Sequence, residues 1–175
     1  MSMFKFSAVI AAAVLLGACA PTAPVQRLGL GQAPSAAQIR GWDIDVRADG
    51  AGLPAGSGSV AQGQAIYQAR CLACHGAHGE KGPAPRLAGG QGTLATKAPV
   101  LTVGSYWPYA TTLYDYIHRA MPLDSPQSLT PDEVYAVTAY TLHLNGIVKA
   151  DAVLDAASLA AIKMPNRDGF RPVLQ

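Results

Sequence analysis

Five consecutive residues carry the most specific chemistry in this sequence: Cys71, Leu72, Ala73, Cys74 and His75. Two thiols separated by two residues can each add to one vinyl group of a single haem, and the histidine that follows can bind the iron. The CxxCH spacing therefore predicts one covalently attached haem c. Cys71 and Cys74 are its expected attachment residues, and His75 is its expected axial ligand.

A CxxC pair has two other uses, as a thioredoxin-like redox pair or as half of a zinc site. A zinc site needs a second pair of ligands, and the only other cysteine in the chain is Cys19. A redox pair of the thioredoxin type needs a βαβ context, which the pattern of the chain lacks. The sequence therefore favours haem attachment.

Met121 is the expected second axial ligand, because it follows a predicted helix in a turn from which its sulfur can be aimed at the iron. Ligation by histidine and methionine fills both axial positions and favours electron transfer over oxygen chemistry. The ordinary role of a methionine is core packing, and Met164 is a rival ligand. His118 and His143 are formally possible but lie on predicted helices. His78 follows the CxxCH motif too closely to reach the opposite face of the haem easily.

Other residues are expected to tune the site. Pro85 lies ten residues after His75, and its carbonyl could accept a hydrogen bond from the second imidazole nitrogen. Arg86, Tyr106 and Trp107 could meet the haem propionates through charge or through N–H and O–H donors. The alternatives are a surface arginine and two core aromatic residues.

Two predicted helices lie on either side of a long loop. The first spans residues 60–70 and ends at the CxxCH motif, and residues 76–105 contain ten glycines and prolines, which predict a loop. The second spans residues 109–120 and is ended by Pro122. Its inward face is expected to consist of three residues at helical spacing: Leu113, Tyr116 and Ile117.

A third helix begins after Thr130, which can cap it, while Pro131 suits the first helical position and Glu133 completes a capping box. The helix ends at Asn145 and Gly146. Its inward stripe is expected to consist of five residues: Val134, Val137, Thr138, Thr141 and Leu142.

The first 19 residues are interpreted as an export signal. Lys5 precedes an apolar stretch that is too short to span a membrane. The residues that end at Cys19 resemble a bacterial lipoprotein signal, in which the cysteine is acylated and tethers the mature protein to a membrane. Ordinary cleavage near Ala18 is the alternative and leaves a soluble protein. Both place the chain in the periplasm, the side on which c-type haem is attached.

The rest of the chain divides into three predicted segments. Residues 20–58 are rich in proline and glycine and are expected to be extended, with the stretch 41–47 lying against the domain through Trp42. Residues 59–147 form the haem domain, and residues 148–175 form an extension with a short helix around 158–162. The formal charge of the 175-residue chain is +2, and it has no basic run of the kind that binds nucleic acid.

These residues resemble class I cytochromes c over about 59–147. Gly63 and Tyr67 resemble that family's first helix, whose glycine permits a close crossing with the last helix, and Tyr140 resembles its aromatic partner. Pro85 and Met121 fall where the family places its histidine-orienting proline and its methionine ligand. The resemblance implies an all-α class I cytochrome c fold, with long loops around one covalently attached haem.

Four longer blocks resemble the cytochrome c subunit of bacterial sulfite or sulfane dehydrogenases: GWDIDV at 41–46, GGQGTL at 89–94, TVGSYWPYA at 102–110 and MPNRDGF at 164–170. This resemblance implies a molybdenum-cofactor dehydrogenase subunit as electron donor in sulfur oxidation, and a downstream cytochrome or oxidase as acceptor. Some members carry a second haem domain, whereas this chain has a single CxxCH motif.

Three functions compete. The first is a non-catalytic electron-transfer subunit, and the second is a haem enzyme acting on a small substrate, such as a peroxidase or a thiosulfate-oxidising cytochrome. The third is a structural or sensory haem module. The sequence favours the first, because it has a methionine in a turn and no evident acid–base pair to act on a substrate.

Overall fold

The computed structural model describes residues 28–171, and its regular structure is almost entirely helical. The expected all-α architecture is confirmed, with two short strands added to it. In chain order the elements are α1 Ala36–Trp42, β1 Ser57–Ser59, α2 Val60–Arg70, α3 Leu72–His75, α4 Ala110–Ala120, α5 Pro131–Leu144, β2 Val153–Asp155 and α6 Ala156–Ala160.

The described residues up to Gln38, which are residues 28–38, belong to a unit separate from the rest, and all of them are exposed. The predicted export signal and Cys19 lie outside the described residues. None of the helices within residues 28–171 has the length and apolar character that crossing a bilayer requires.

Two capping boxes set where the long helices begin. The Ser59 hydroxyl accepts a hydrogen bond from the backbone N–H of Gln62 at 3.2 Å, and the Gln62 side chain accepts one from the Ser59 N–H at 2.9 Å. Thr130 and Glu133 make the same reciprocal pair at the start of α5. Each pair satisfies two N–H groups that the helix leaves unbonded. The predicted starts of both helices are confirmed.

Helix α5 is the centre of the fold. All nine residues from 134 to 142 are buried, so the predicted inward stripe of five residues is too narrow. The reason is that α2, α4 and β1 all pack against α5, whereas a stripe describes a helix with one face in water. Residues 76–105 contain no helix or strand, as the glycines and prolines predict.

Helix α4 buries a different aromatic residue from the one predicted. The expectation that Tyr116 faces inward is wrong, because its side chain is 47% exposed and meets the edge of the Trp107 ring at 5.8 Å between centroids. Tyr114 is buried instead and packs against Tyr135 of α5 at 4.5 Å. The position of α5 beside α4 therefore decides which of the two tyrosines is buried.

The segment before β1 is anchored differently from the prediction. Trp42 ends α1 and is 87% exposed, so the expectation that it anchors an extended segment is wrong. Val46 is the buried residue, and its backbone N–H donates to the carboxylate of Asp115 on α4 at 2.8 Å. Arg119, one turn further along α4, bonds that carboxylate and also pairs with Asp45 at 3.1 Å.

The two strands, which the sequence did not predict, connect this segment to the C-terminal extension. β1 and β2 are antiparallel, with Gly58 opposite Leu154. The short helix predicted around 158–162 is present two residues earlier, as α6, because Asp155 caps it through the Ser158 N–H. Hydrogen bonds from Ser158 lower the pKa of the Asp155 carboxyl. Three residues of the extension lie in the same core as α5: Leu154, Leu159 and Met164.

Candidate haem site

The CxxCH segment lies between two helices. α2 ends at Arg70, and Cys71 is its C-cap residue. The other four residues of the motif form α3, which ends at His75. Both thiols are free, with Cys71 partly buried and Cys74 exposed. Burial raises the pKa of the Cys71 thiol to about 11. A reactive or zinc-binding cysteine needs a stabilised thiolate, so this environment suits a neutral sulfur better.

His75 is oriented by Pro85. Nδ1 of the imidazole lies 3.0 Å from the Pro85 carbonyl oxygen. A carbonyl oxygen can only accept, so in this contact Nδ1 carries the hydrogen and donates it. The neutral ring then keeps its lone pair on Nε2, the nitrogen that can bind a metal. The contact is the one that the sequence analysis expected between these two residues.

The loop after the motif is fixed against it at several points. The Tyr67 hydroxyl donates to the carbonyl oxygen of Gly76 at 2.8 Å, and the Ala84 N–H donates to the carbonyl oxygen of Cys74 at 2.9 Å. Gly82 lies directly on the backbone of the motif, where a Cβ atom would overlap the Cys74 carbonyl. The loop is therefore held close to His75 by backbone contacts that a larger residue would not allow.

The helix that leads into the motif crosses α5 in close contact. A Cβ atom at Gly63 would overlap the backbone carbonyl of Ala136 and would lie 2.9 Å from Cβ of Tyr140. One turn further on, the rings of Tyr67 and Tyr140 pack at 5.2 Å between centroids. Burial raises the pKa of the Tyr67 hydroxyl to about 12. This is the glycine-mediated crossing and aromatic pair that the resemblance to class I cytochromes c implied.

The comparisons with known proteins agree with this geometry. A family model described as cytochrome c matches residues 60–145. This chain belongs to the cytochrome c family. A chain in the crystal structure of the sulfane dehydrogenase SoxCD from Paracoccus pantotrophus is 46% identical to this cytochrome, with a TM-score of 0.79. The similarity covers 83% of this cytochrome and 72% of that chain. Among curated proteins, none shows significant similarity.

Membership of the cytochrome c family implies covalently bound haem c, and the donor set of this cytochrome fits that group. Two free thiols stand at the required spacing, and the histidine after them has its Nδ1 hydrogen-bonded so that Nε2 is the free donor. Among residues 28–171 no cluster of three or more His, Cys, Asp or Glu is placed to hold a metal ion. The zinc interpretation therefore lacks further ligands within the described part of the chain.

The two candidate methionines occupy different environments. Met121 is the C-cap residue of α4 and has an extended backbone conformation. Its side chain is partly buried and packs against the core. Met164 is 2% exposed and belongs to the core itself.

The three histidines outside the motif differ in burial and in hydrogen bonding. His78 is exposed. His143 has its Nδ1 atom 3.1 Å from the Val148 carbonyl oxygen. His118 is partly buried on α4 beside the Tyr114 ring, and its Nδ1 has no hydrogen-bond partner among the described residues.

The residues expected to contact the propionates lie at two places in the long loop between α3 and α4. Arg86 is exposed and follows Pro85. Tyr106 and Trp107 lie together just before α4, and both are partly accessible to solvent. The Tyr106 ring packs edge-on against Phe170 at 5.1 Å.

Two polar contacts near the site were missed in the sequence. One is the hydrogen bond from the Tyr67 hydroxyl to the Gly76 carbonyl, which the sequence does not indicate because it depends on how the loop after the motif folds back. The other is the ion pair of Asp115 and Arg119, whose i, i+4 spacing on a predicted helix is a usable signal. Its hydrogen bond from Arg119 to the Asp115 carboxylate raises the pKa of the guanidinium.

Proposed function

We propose that this cytochrome carries single electrons from the molybdenum-cofactor subunit of a sulfur-oxidising dehydrogenase to a downstream cytochrome or oxidase. The observation that carries the proposal is the 46% identity to a chain of a sulfane dehydrogenase, extending over 72% of that chain. Similarity of this extent reaches far beyond the haem motif, because it covers 83% of this cytochrome.

The residues of the site have separate roles in this proposal. Cys71 and Cys74 hold one haem covalently, and His75 binds its iron through Nε2 while Pro85 fixes the ring. Bound in this way, the haem supplies a one-electron couple between ferric and ferrous iron. Oxidation of a sulfur substrate by two electrons therefore requires two successive transfers through this chain. Between the two transfers the cytochrome would have to pass its first electron to the acceptor, because one haem holds only one.

Met121 is proposed as the second axial ligand. Its support is its position at the end of α4, outside the fully packed core, where its side chain is less buried than that of Met164. With both axial positions filled by protein, a small substrate cannot bind the iron directly. The chain would then act as an electron-transfer subunit, not as an enzyme with its own substrate site.

The proposed location follows from the same chemistry. Covalent haem attachment and sulfur oxidation by such complexes are placed in the periplasm, and acylation of Cys19 would tether the mature chain to a membrane. Mass spectrometry of the mature N-terminus distinguishes an acylated Cys19 from ordinary cleavage near Ala18.

The axial ligand is tested by substitution in the purified holoprotein. We expect Met121→Ala to lose the methionine–iron absorption band at the red edge of the visible spectrum and to retain covalent haem. Met164→Ala is the matched control. It should keep the band while losing about 2–5 kcal/mol of stability, because it removes a buried side chain. Loss of the band in the Met164 variant alone contradicts the assignment. Ready binding of carbon monoxide by the reduced wild type favours a haem enzyme instead.

The partner is tested by co-purification from the native membrane or periplasmic fraction, followed by rapid mixing of the complex with sulfite or thiosulfate. We expect the haem of the wild-type complex to be reduced within the turnover time of the dehydrogenase. A complex that oxidises the sulfur compound while this haem stays oxidised contradicts the proposed electron path.

A further inference from the structure

Residues 164–170 of the C-terminal extension form a compact turn that lies on the loop before α4. Met164 is buried in the core and fixes the start of this turn. The Arg167 N–H donates to the Met164 carbonyl oxygen at 3.1 Å, and the Gly169 N–H donates to that of Asn166 at 3.1 Å. Residues 164–170, here called the C-terminal clamp, are therefore an ordered structure.

Three side chains of the clamp contact the loop. The Asn166 amide donates to the backbone carbonyl of Tyr106 at 2.7 Å. Phe170 packs against the edge of the Tyr106 ring at 5.1 Å, and the Arg167 guanidinium lies over the Tyr109 ring at 4.1 Å. The clamp is therefore joined to the two loop tyrosines by a hydrogen bond, an aromatic pair and a cation–π contact, each of which favours one position of the loop.

The loop that the clamp holds leads directly into α4. Tyr109 is the N-cap residue of α4, and Met121 is its C-cap residue. An α-helix of eleven residues transmits a displacement of its first turn to its last, since its hydrogen bonds make it rigid along its axis. The clamp and the proposed axial ligand are thus at opposite ends of one rigid element.

We infer that the C-terminal clamp is a positioning element for the haem pocket, which holds residues 106–109 and α4 in place and so favours the state in which Met121 binds the iron. The inference rests on the proposed function, because it needs haem at CxxCH. It assigns Asn166 and Phe170 as positioning residues, and Asn166 acts through its hydrogen bond to the Tyr106 carbonyl. Loosening the clamp should open the methionine side of the pocket.

Imidazole binding to the oxidised holoprotein measures this opening, because exogenous imidazole competes with the methionine for the iron. We expect Asn166→Ala and Phe170→Ala to bind imidazole roughly two- to tenfold more tightly than the wild type, the range that loss of one hydrogen bond or packing contact produces. Their reduction potentials should fall, because a more open pocket lets water stabilise ferric iron.

Two control variants separate positioning from stability. Lys163→Ala removes an exposed side chain next to the clamp, and it should leave the imidazole affinity within twofold of the wild type and the reduction potential unchanged. Thr130→Ala removes the cap of α5, far from the clamp in the chain, and should lower the unfolding free energy by about 1 kcal/mol without tightening imidazole binding.

The inference is overturned if Asn166→Ala and Phe170→Ala lower the melting temperature as Thr130→Ala does, while imidazole affinity and potential stay unchanged. The extension would then be a structural cover only. The potential reports on the surroundings of the haem whichever side chain is its second ligand. A wild type without the methionine band therefore contradicts the ligand proposal, while an unchanged potential in the clamp variants contradicts the clamp.

Discussion

The crossing of α2 over α5 can be tested with a single methyl group. In Gly63→Ala the new Cβ atom would overlap the Ala136 carbonyl, which belongs to the backbone of a buried helix and cannot rotate away. The two helices would have to separate, and forced overpacking of this kind costs about 3 kcal/mol or more at a rigid site. Alanine gains about 1 kcal/mol over glycine in helix propensity. The overlap wins, and the expected net loss is about 2 kcal/mol or more.

Urea denaturation of the holoprotein measures this loss. With a typical slope of about 2 kcal/mol per molar urea, the midpoint of Gly63→Ala should fall by about 1 M. Gly41→Ala is the matched control, because Gly41 lies in exposed α1 with no atom within 4 Å of its Cβ position and no positive φ. That variant should be as stable as the wild type or slightly more so. If the two variants have the same midpoint, α2 and α5 are not in backbone contact at Gly63.

Two further predictions concern buried polar groups. Tyr67→Phe loses one buried hydrogen bond and should lose about 1 kcal/mol at neutral pH. Burial raises the pKa of Tyr67 to about 12, above the value of about 10 in the unfolded chain. Its neutral form therefore adds stability that declines as pH rises from about 10 towards 12. The deficit of the variant, measured by denaturation at pH 7 and pH 11, should shrink at the higher pH, and a constant deficit contradicts the burial argument. Asp115→Ala leaves the buried Val46 N–H without its acceptor and removes one of the two carboxylates that pair with Arg119, and should cost about 2 kcal/mol. Asp45→Ala removes the exposed partner of Arg119 and should cost less than about 1 kcal/mol; equal costs would mean that Asp115 holds no buried contact.

The parts of the fold that the sequence predicts are those with a local cause. The starts of α2 and α5 depend on capping residues within one turn of the helix, so Thr130 and Glu133 mark a boundary without knowledge of the rest of the chain. The Gly63 and Tyr67 spacing likewise survives, because the helix period brings both to one face. The contact between His75 and Pro85 is expected because Pro85 falls where class I cytochromes c place their histidine-orienting proline.

The parts that the sequence does not predict depend on which element comes to lie beside another. Tyr114 and Tyr116 have similar side chains two residues apart on α4, and only the position of α5 decides which of them is buried. Trp42 is the large apolar side chain that one expects to be buried in this segment. Val46 is buried instead, because the Asp115 carboxylate accepts a hydrogen bond from its backbone N–H. Each strand is three residues long and has no alternating pattern of apolar and polar residues, so the local sequence does not predict it.

The pairing of β1 with β2 has a consequence for the order in which the chain assembles. Gly58 and Leu154 are about 100 residues apart in the sequence, and three residue pairs cannot repay the entropy of closing so long a loop by themselves. Gly58 also rests on the backbone of Ala136 in α5, so the sheet has a surface to form on only after that helix is in place. We therefore expect the sheet to form late in folding, after α5 has packed against the other helices. The extension, and with it residues 164–170, is fastened onto a helical body in which the CxxCH segment is already held between α2 and its loop.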